Sequence, residues 1–507
     1  ALTSEDMLFI TIVLCILVLS LCLAFILTRF KISKLLQSDL VYLPPGPTPW
    51  PVFGDLHLLG KYSNPFVAFT QLSKIYGDIY QLTLGRTKSV VINSFPLIKE
   101  VLITKGQYFG GRPDFIRYHK LFGGDRNNSL ALCDWSDLQK KRRAIARTYC
   151  TPKFSSSNYD HLNNVGCTET NFLMDELEKK VSEDTEINLK PLVLATCANM
   201  FTQYMCSERF EYEDKDFQAV VRFFDEIFWE INQGYAIDFL PWLLPFYSGH
   251  MRKLSNWAKE IRQFILTRII EKHRKNLDYS SPPRDFTDAL LIHLEQDDTL
   301  CWQHIIFELE DFLGGHSAIG NFVMLIIAAI VKNPEVGKKI QEEIDSVTLG
   351  KRDVNLFDRS KMPYTESTML EVLRTSSSPI VPHVATEDTS ISGFKIDKGT
   401  VVFINNYELN LGELYWSEPN KFQPERFITP QKKVVKPEFF IPFSTGKRTC
   451  IGQRLVQSFA FVIISSILQK YDISCSKPET VKTFSACVAL PPVTFSIRLR
   501  HRTSTSV

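Results

Sequence analysis

The sequence contains no CxxC pair, and its eleven cysteines are odd in number. Cys15 and Cys22 fall in an apolar run. Such spacing suggests neither a disulfide framework nor a zinc site. A reducing compartment is the simplest setting. Charge imbalance is also missing, with 58 Lys and Arg against 56 Asp and Glu. A nucleic-acid partner needs a strongly basic face, so that class is excluded. From about residue 60 onward there is neither a repeat nor a low-complexity linker. Length alone suggests about three domains, but without linkers the chain reads as one large, mostly helical unit. What is plentiful is phenylalanine, 37 residues. Rings on that scale line a large cavity or fill a large core.

Long hydrophobic runs are scarce too, which sharpens the one that opens the chain. Met7 to Leu27 carries no charge over 21 residues. At about 1.5 Å rise per residue it spans roughly a bilayer's hydrocarbon core. A cleaved signal peptide has a shorter apolar core and a small-residue cleavage site, so a retained anchor is expected. Glu5 and Asp6 precede the run, and Arg29, Lys31 and Lys34 follow it. The positive-inside rule then places the bulk of the protein in the cytosol. The expected division is an anchor over 1–28, a basic flank and proline-rich hinge over 29–55, and a globular unit over 56–507. Five prolines between Leu43 and Gly54 exclude helix and central strand there and make a stiff connector.

Pro65–Gly77 has helical spacing with a glycine stop. "DIYQLTLG" and "SVVINS" alternate as strands do. Trp302–Lys332 is one long apolar helical run holding Gly314, Gly315 and Gly320. Each glycine inside a helix costs about 1 kcal/mol relative to alanine. The cluster marks either a yielding backbone or tight helix packing.

The remaining cysteine of interest is Cys450, in "FSTGKRTCIG". A thiolate needs nearby positive charge or amide donors. Lys447 and Arg448 supply charge, and the helix pattern beginning after Gly452 supplies free amides and a favourable dipole. A nucleophilic cysteine wants a histidine, and the segment has none. An axial thiolate on haem iron needs no such partner.

This loop resembles the haem-ligand loop of the cytochromes P-450, F-x-x-G-x-R-x-C-x-G, at Phe443, Gly446, Arg448, Cys450 and Gly452. "EVLR" (Glu371–Arg374) and "FQPERF" with Arg426 follow the family's order and imply a structural charge triad of Glu371, Arg374 and Arg426. "LPPVTFSIRLRHR" is similar to the family's closing strand pair. The implied fold is mainly α with small β-sheets, behind one N-terminal transmembrane helix. The implied cofactor is haem b (iron protoporphyrin IX), with electrons from NADPH through a reductase. Cys450 is then the axial ligand of the iron, and Arg448 pairs a propionate. His383 is either a second propionate partner or a satisfied strand-edge histidine. Trp135 and a downstream arginine complete the clamp in the family. Here position 139 is Gln, so Arg142, seven residues after Trp135 and on its helical face, is the expected partner; Arg143 points away.

A larger departure lies in "GGHSA". Ser317 stands where the family has an acid, and Ala318 replaces the usual threonine. Ser317 or His316 is the expected proton relay, with ordered water or a substrate hydroxyl as the alternative. "GRPDFIRYHKLFGG", "SLALCDW", "GGHSAIGN" and "SSSPIVPHVATEDT" resemble the spook-type insect enzymes within that family, which act in ecdysteroid biosynthesis. The resemblance implies a monooxygenase of the endoplasmic reticulum membrane. It implies a sterol substrate, an early step after 7-dehydrocholesterol, and NADPH–cytochrome reductase as partner. A haem-thiolate isomerase or dehydratase acting without a reductase, or a non-catalytic haem or sterol binder, are the rival readings. The aromatic stretch Phe223–Tyr247 serves as substrate-channel roof or membrane contact. The Asn127 glycosylation sequon is not expected to be used on the cytosolic side.

Overall fold

The computed structural model describes residues 42–181 and 185–502, together with Val13, Ile16 and Ser20. Apart from those three, the expected anchor and its basic flank lie outside the described residues. The proline-rich stretch is docked rather than free. The Pro45 carbonyl accepts from the Gln81 amide at 2.8 Å, and Asp55 N donates to Thr83 O at 2.6 Å. Gly54 has φ 58, and a Cβ there would lie 2.0 Å from the Thr83 carbonyl.

Helix α1 (Pro65–Tyr76) begins where the Asn64 side chain accepts from the amides of Phe66 and Val67, with proline in the first turn. It stops at Gly77, φ 91. Strands β1 (Ile79–Leu84) and β2 (Thr87–Ile92) form an antiparallel hairpin, as their alternation predicts. The chain then passes through α2 (Asp137–Cys150), α3 (Ser157–Glu178), α4 (Lys190–Cys206), α5 (Lys215–Ile231) and α6 (Leu244–Phe264). The predicted long helix runs on as α7 (Trp302–Leu313) and α8 (Gly315–Lys332), which abut at Gly314, where the backbone stays helical (φ -60, ψ -20) and only the hydrogen bonding is interrupted. Helix α9 (Pro363–Ser376) carries the E-x-x-R pair. Next come β3 (His383–Val384), β4 (Thr389–Ile391), β5 (Phe394–Ile396) and β6 (Val401–Ile404). After the Cys450 loop, α10 (Gln453–Lys470) leads into β7 (Tyr471–Ser474), which pairs with the final strand β8 (Arg498–His501).

The main sheet has the order β1-β2-β6-β3, with β2 and β6 parallel. This is the expected mostly helical architecture with small sheets. Helix α8 is apolar around its circumference, and 14 of its 18 residues are buried. Such a helix belongs at the centre of a core. Trp302–Lys332 is long and apolar enough to cross a membrane, yet it is mostly buried inside the protein. Gly320 lets α8 approach α4, since a Cβ there would sit 2.7 Å from Leu194 Cδ2. Gly314 instead interrupts the hydrogen bonding. Both readings of the glycine cluster therefore hold, at different glycines.

Candidate functional site

The Cys450 loop is shaped by backbone requirements before any chemistry. Gly446 has φ 73, and a Cβ there would lie 2.0 Å from the Leu102 carbonyl. The loop closes with Cys450 N donating to Phe443 O at 2.9 Å. Helix α10 starts three residues on, at Gln453, capped by Gly452. The amides of Gly452 and Gln453 and the Arg143 charge pull the Cys450 thiol down, but burial outweighs them and leaves it raised. The chain thus prepares a thiolate position without completing it. Cys450 keeps its accessible surface on the wall of an internal cavity.

That cavity holds about 1350 Å³. Phe443, Cys450 and Gly452 form one wall. Gly314, Gly315 and Ala318 form another, and Phe115, Phe201, Phe224 and Phe239 are among the rings that close it. One region is strongly cationic: Arg112, Arg143 and Arg448 all line the cavity. Arg448 donates to Gln139 Oε1 (2.6 Å) and to the carbonyls of Ala131 and Cys133 (2.8 Å each). Arg112 donates to the carbonyls of Ala131, Val381 and Pro382. Arg143 donates to Thr449 O at 2.7 Å, while its Nε has no partner among the described residues. Among the described residues, none of the three has a carboxylate partner. Burial, then mutual repulsion, lowers the Arg112 pKa, and the Arg448 pKa falls to about 10, chiefly through burial.

His383 lies buried on β3 beside Arg112 and Arg448, with Nδ1 on the Phe109 carbonyl at 2.8 Å. Its Nε2 is buried without a partner among the described residues. Burial and the two arginines push its pKa well down. Three unneutralised guanidinium groups, one with an orphaned buried Nε, next to an open thiol call for anions, whereas the neutral His383 Nε2 is left as an acceptor. Haem, with two propionates and an iron centre, fits this donor set.

The clamp differs from expectation in phase. Trp135 precedes α2, whose cap is Ser136 accepting from Gln139 N, so helical phase cannot be counted from it. Trp135 packs against Gly110 with Lys447 Nζ 5.9 Å from its ring, and does not line the cavity. Arg142 points away to Glu308 (2.9 Å) and the Asn128 carbonyl. Its neighbour Arg143, one helical step of about 100° round, faces the cavity instead. No motif in the sequence singles out Arg112, although it follows Gly111 in "GRPD".

The opposite wall also corrects the proton-relay expectation. Positions 311, 314, 315 and 318 are partly accessible and line the cavity, at the i, i+3, i+4, i+7 spacing of one helical face. Ser317 and His316 are off that face and buried. The His316 Nδ1 contacts Leu313 O at 2.6 Å and its ring meets Phe224 edge-on. Ser317 Oγ is 3.5 Å from His316 Nε2. Burial lowers the His316 pKa to about 4.

A stability consequence follows. Above pH 6.5 the imidazole is neutral in both folded and unfolded chains. Between pH 6.5 and about 4 only the unfolded chain gains the proton, so folding loses stability as pH falls. His316→Leu should therefore gain on the wild type by up to about 3 kcal/mol between neutral pH and pH 4, at 1.36 kcal/mol per tenfold. Urea unfolding of both proteins across that range measures the difference. A pH-independent difference excludes a buried neutral imidazole.

The charge triad assembles as expected. Arg374 Nε and Nη2 donate to the two oxygens of Glu371 at 2.7 Å each, and Arg426 Nε lies 3.5 Å from Glu371 Oε1. None of the three lines the cavity.

Comparison with known proteins agrees with this geometry. A family model described as cytochrome P450 matches residues 44–499. Cytochrome P450 307a1 of Drosophila melanogaster is 52% identical over 482 residues, covering 90% of this chain and 89% of its own. Cytochrome P450 1A1 of Cavia porcellus is 31% identical over 467 residues, 88% of each chain. Cytochrome P450 1A1 of Rattus norvegicus is 30% identical over 479 residues, 90% of this chain and 88% of its own.

Proposed function

The chain belongs to the cytochrome P450 family, and on that premise we propose that it oxidises a sterol, in an early step of ecdysteroid biosynthesis after 7-dehydrocholesterol. The family's enzymes are monooxygenases that use haem iron and electrons passed from NADPH through a reductase. When bound, haem supplies the iron centre at which oxygen is activated. In this chain Cys450 would hold that iron, Arg112, Arg143 and Arg448 would hold the propionates, and His383 would join them by taking up a proton at Nε2.

The observation that carries the sterol reading is the cavity. Its walls away from the arginine cluster are mostly apolar, with Phe115, Phe201, Phe224 and Phe239 among them, and its volume of about 1350 Å³ leaves room for a bulky apolar substrate beside the haem it must also hold. The resemblance of "GRPDFIRYHKLFGG" and "SSSPIVPHVATEDT" to ecdysteroid enzymes supports the pathway. Membrane association is supported by exposed Trp50, Val52, Phe53, Trp242 and Phe246, with the Phe53 and Trp242 rings 6.3 Å apart edge to face. That patch joins the proline-rich stretch to the connector between α5 and α6. A sterol then enters from the bilayer, and a membrane reductase meets the cytosolic face. The test incubates membranes bearing this protein and reductase with 7-dehydrocholesterol and its oxidised derivatives. Product masses are read directly. No NADPH-dependent product from any of these sterols sinks the reading.

A second reading, a haem-thiolate isomerase or dehydratase, is favoured by one observation. The cavity face of α8 presents Ala318, which donates no hydrogen bond, and the nearby Ser317 and His316 are turned off it. Product formed without NADPH supports this alternative. Under the monooxygenase reading, water or a substrate hydroxyl moves the proton past Ala318. Ala318→Thr is then expected to raise product formed per NADPH consumed several-fold, with little change in substrate affinity. An unchanged ratio excludes proton delivery at this position as the point of control.

A further inference from the structure

The cavity is lined by three carboxyl groups, and two of them are already matched. Asp238 is held by Arg117, whose Nε and Nη2 both donate to it. Glu310 is held by Arg262 at 3.0 Å. Asp311 is the third. Among the described residues it has no ion pair. Its Oδ2 accepts from Leu130 N (2.5 Å) and Ser129 Oγ (3.0 Å), Ser129 Oγ also lies 3.3 Å from Oδ1, and the Ala131 amide is a further donor to the carboxylate. A carboxylate oxygen has room for further donors. With three donors in place, Asp311 retains acceptor capacity where it lines the cavity.

We propose that Asp311 is the specificity anchor for a substrate hydroxyl, which donates to Asp311 Oδ1 from within the cavity. Position fixes its role. Asp311 lies on the same helical face as Ala318 but seven residues earlier, about 10 Å along the axis. That separation is too long for direct proton delivery, which needs a donor within about 3 Å or one water. It suits the far end of a rigid, elongated molecule. The bonds to Ser129 and Leu130 hold the carboxylate in place, so the anchor is set before binding. Burial keeps the carboxyl pKa up at about 6. The carboxylate form therefore prevails at neutral pH, and it accepts a hydroxyl more strongly than a neutral group does.

This proposal rests on the sterol reading, and the test separates the two. The probes are radiolabelled 7-dehydrocholesterol and its 3-O-methyl ether, which keeps the shape and loses the donor. Equilibrium binding is measured on solubilised holoprotein. The wild type is expected to prefer the free hydroxyl at least about tenfold. Asp311→Ala should remove the preference while binding the ether within about twofold of wild type. Asp311→Asn keeps the volume and guards against a folding failure. Its neutral acceptor is roughly half as strong, so its preference should fall to about threefold. Ser129→Ala removes one bond that holds the carboxylate yet keeps the acceptor, so its preference should weaken without vanishing. The proposal is overturned if Asp311→Ala weakens both probes alike, if it retains the preference, or if Ser129→Ala loses it equally. A wild type that binds neither probe overturns the sterol reading and this anchor with it.

Discussion

Cys450→Ser is expected to leave the chain folded and to reduce product formation by at least about 10³, or about 4 kcal/mol in transition-state terms. The two side chains are nearly isosteric, and residue 450 lies on a cavity wall rather than in close packing. Its backbone bond to Phe443 does not involve the side chain. Unfolding free energy should therefore change by less than about 1 kcal/mol. The chemistry differs because the loop already struggles to hold a thiolate. The Gly452 and Gln453 amides and Arg143 only partly offset burial of the sulfur anion. A serine hydroxyl is far harder to ionise, so the same groups cannot make an alkoxide there. Neutral oxygen is a poor replacement for a thiolate at iron. Haem extracted from purified protein, the absorption of its reduced carbon monoxide complex and sterol product are the three readouts. Haem content should drop less than activity, because the arginine cluster is untouched. Wild-type turnover in Cys450→Ser removes Cys450 from the reaction.

The Cys450 loop was legible from sequence because its chemistry is local. Glycine, basic residues and a helix start all lie within ten positions of each other. The Glu371–Arg374 pair was legible for the same reason, since i, i+3 spacing fixes a shared face. Helix α1 was bounded at its C-terminus by Gly77, a local backbone signal. The arginine cluster was not legible. Arg112, Arg143 and Arg448 come from three segments, and only the packing of α2 against the loop selects Arg143 over Arg142. The error at Arg142 came from extending helical phase back to Trp135, which lies outside the helix. The cavity face of α7 and α8 was hidden likewise. Spacing groups 311, 314, 315 and 318, but only the tertiary fold decides that this stripe, rather than Ser317 or His316, borders the open space. The interruption at Gly314 looked in sequence like one of three equivalent glycines. Its difference from Gly320 is what each meets, Phe224 in one case and Leu194 in the other.

The other large effect concerns a pair that never touches the cavity. Glu371→Ala is expected to cost about 3–5 kcal/mol and to abolish accumulation of haem-loaded protein. Glu371 and Arg374 are both fully buried. Without Glu371 the guanidinium keeps only neutral partners, the carbonyls of Asn410, Pro419 and Lys421, and the Trp416 ring 5.2 Å away. Those carbonyls are also why the pair matters for the site. They tie α9 to the segment that leads through Arg426 to the Cys450 loop, and Glu371 itself accepts from Gln423 N at 2.8 Å. Arg374→Ala should be milder, because Glu371 retains that amide and gains Arg426, now 3.5 Å away, as sole cationic partner. The double variant Glu371→Leu, Arg374→Met should cost less than Glu371→Ala alone, since the buried charge leaves with its partner. Denaturant midpoints and haem yield for the three variants check the order. Additive costs in the double variant, or a loss under about 1 kcal/mol for Glu371→Ala, contradict a buried pair that organises the loop carrying Cys450.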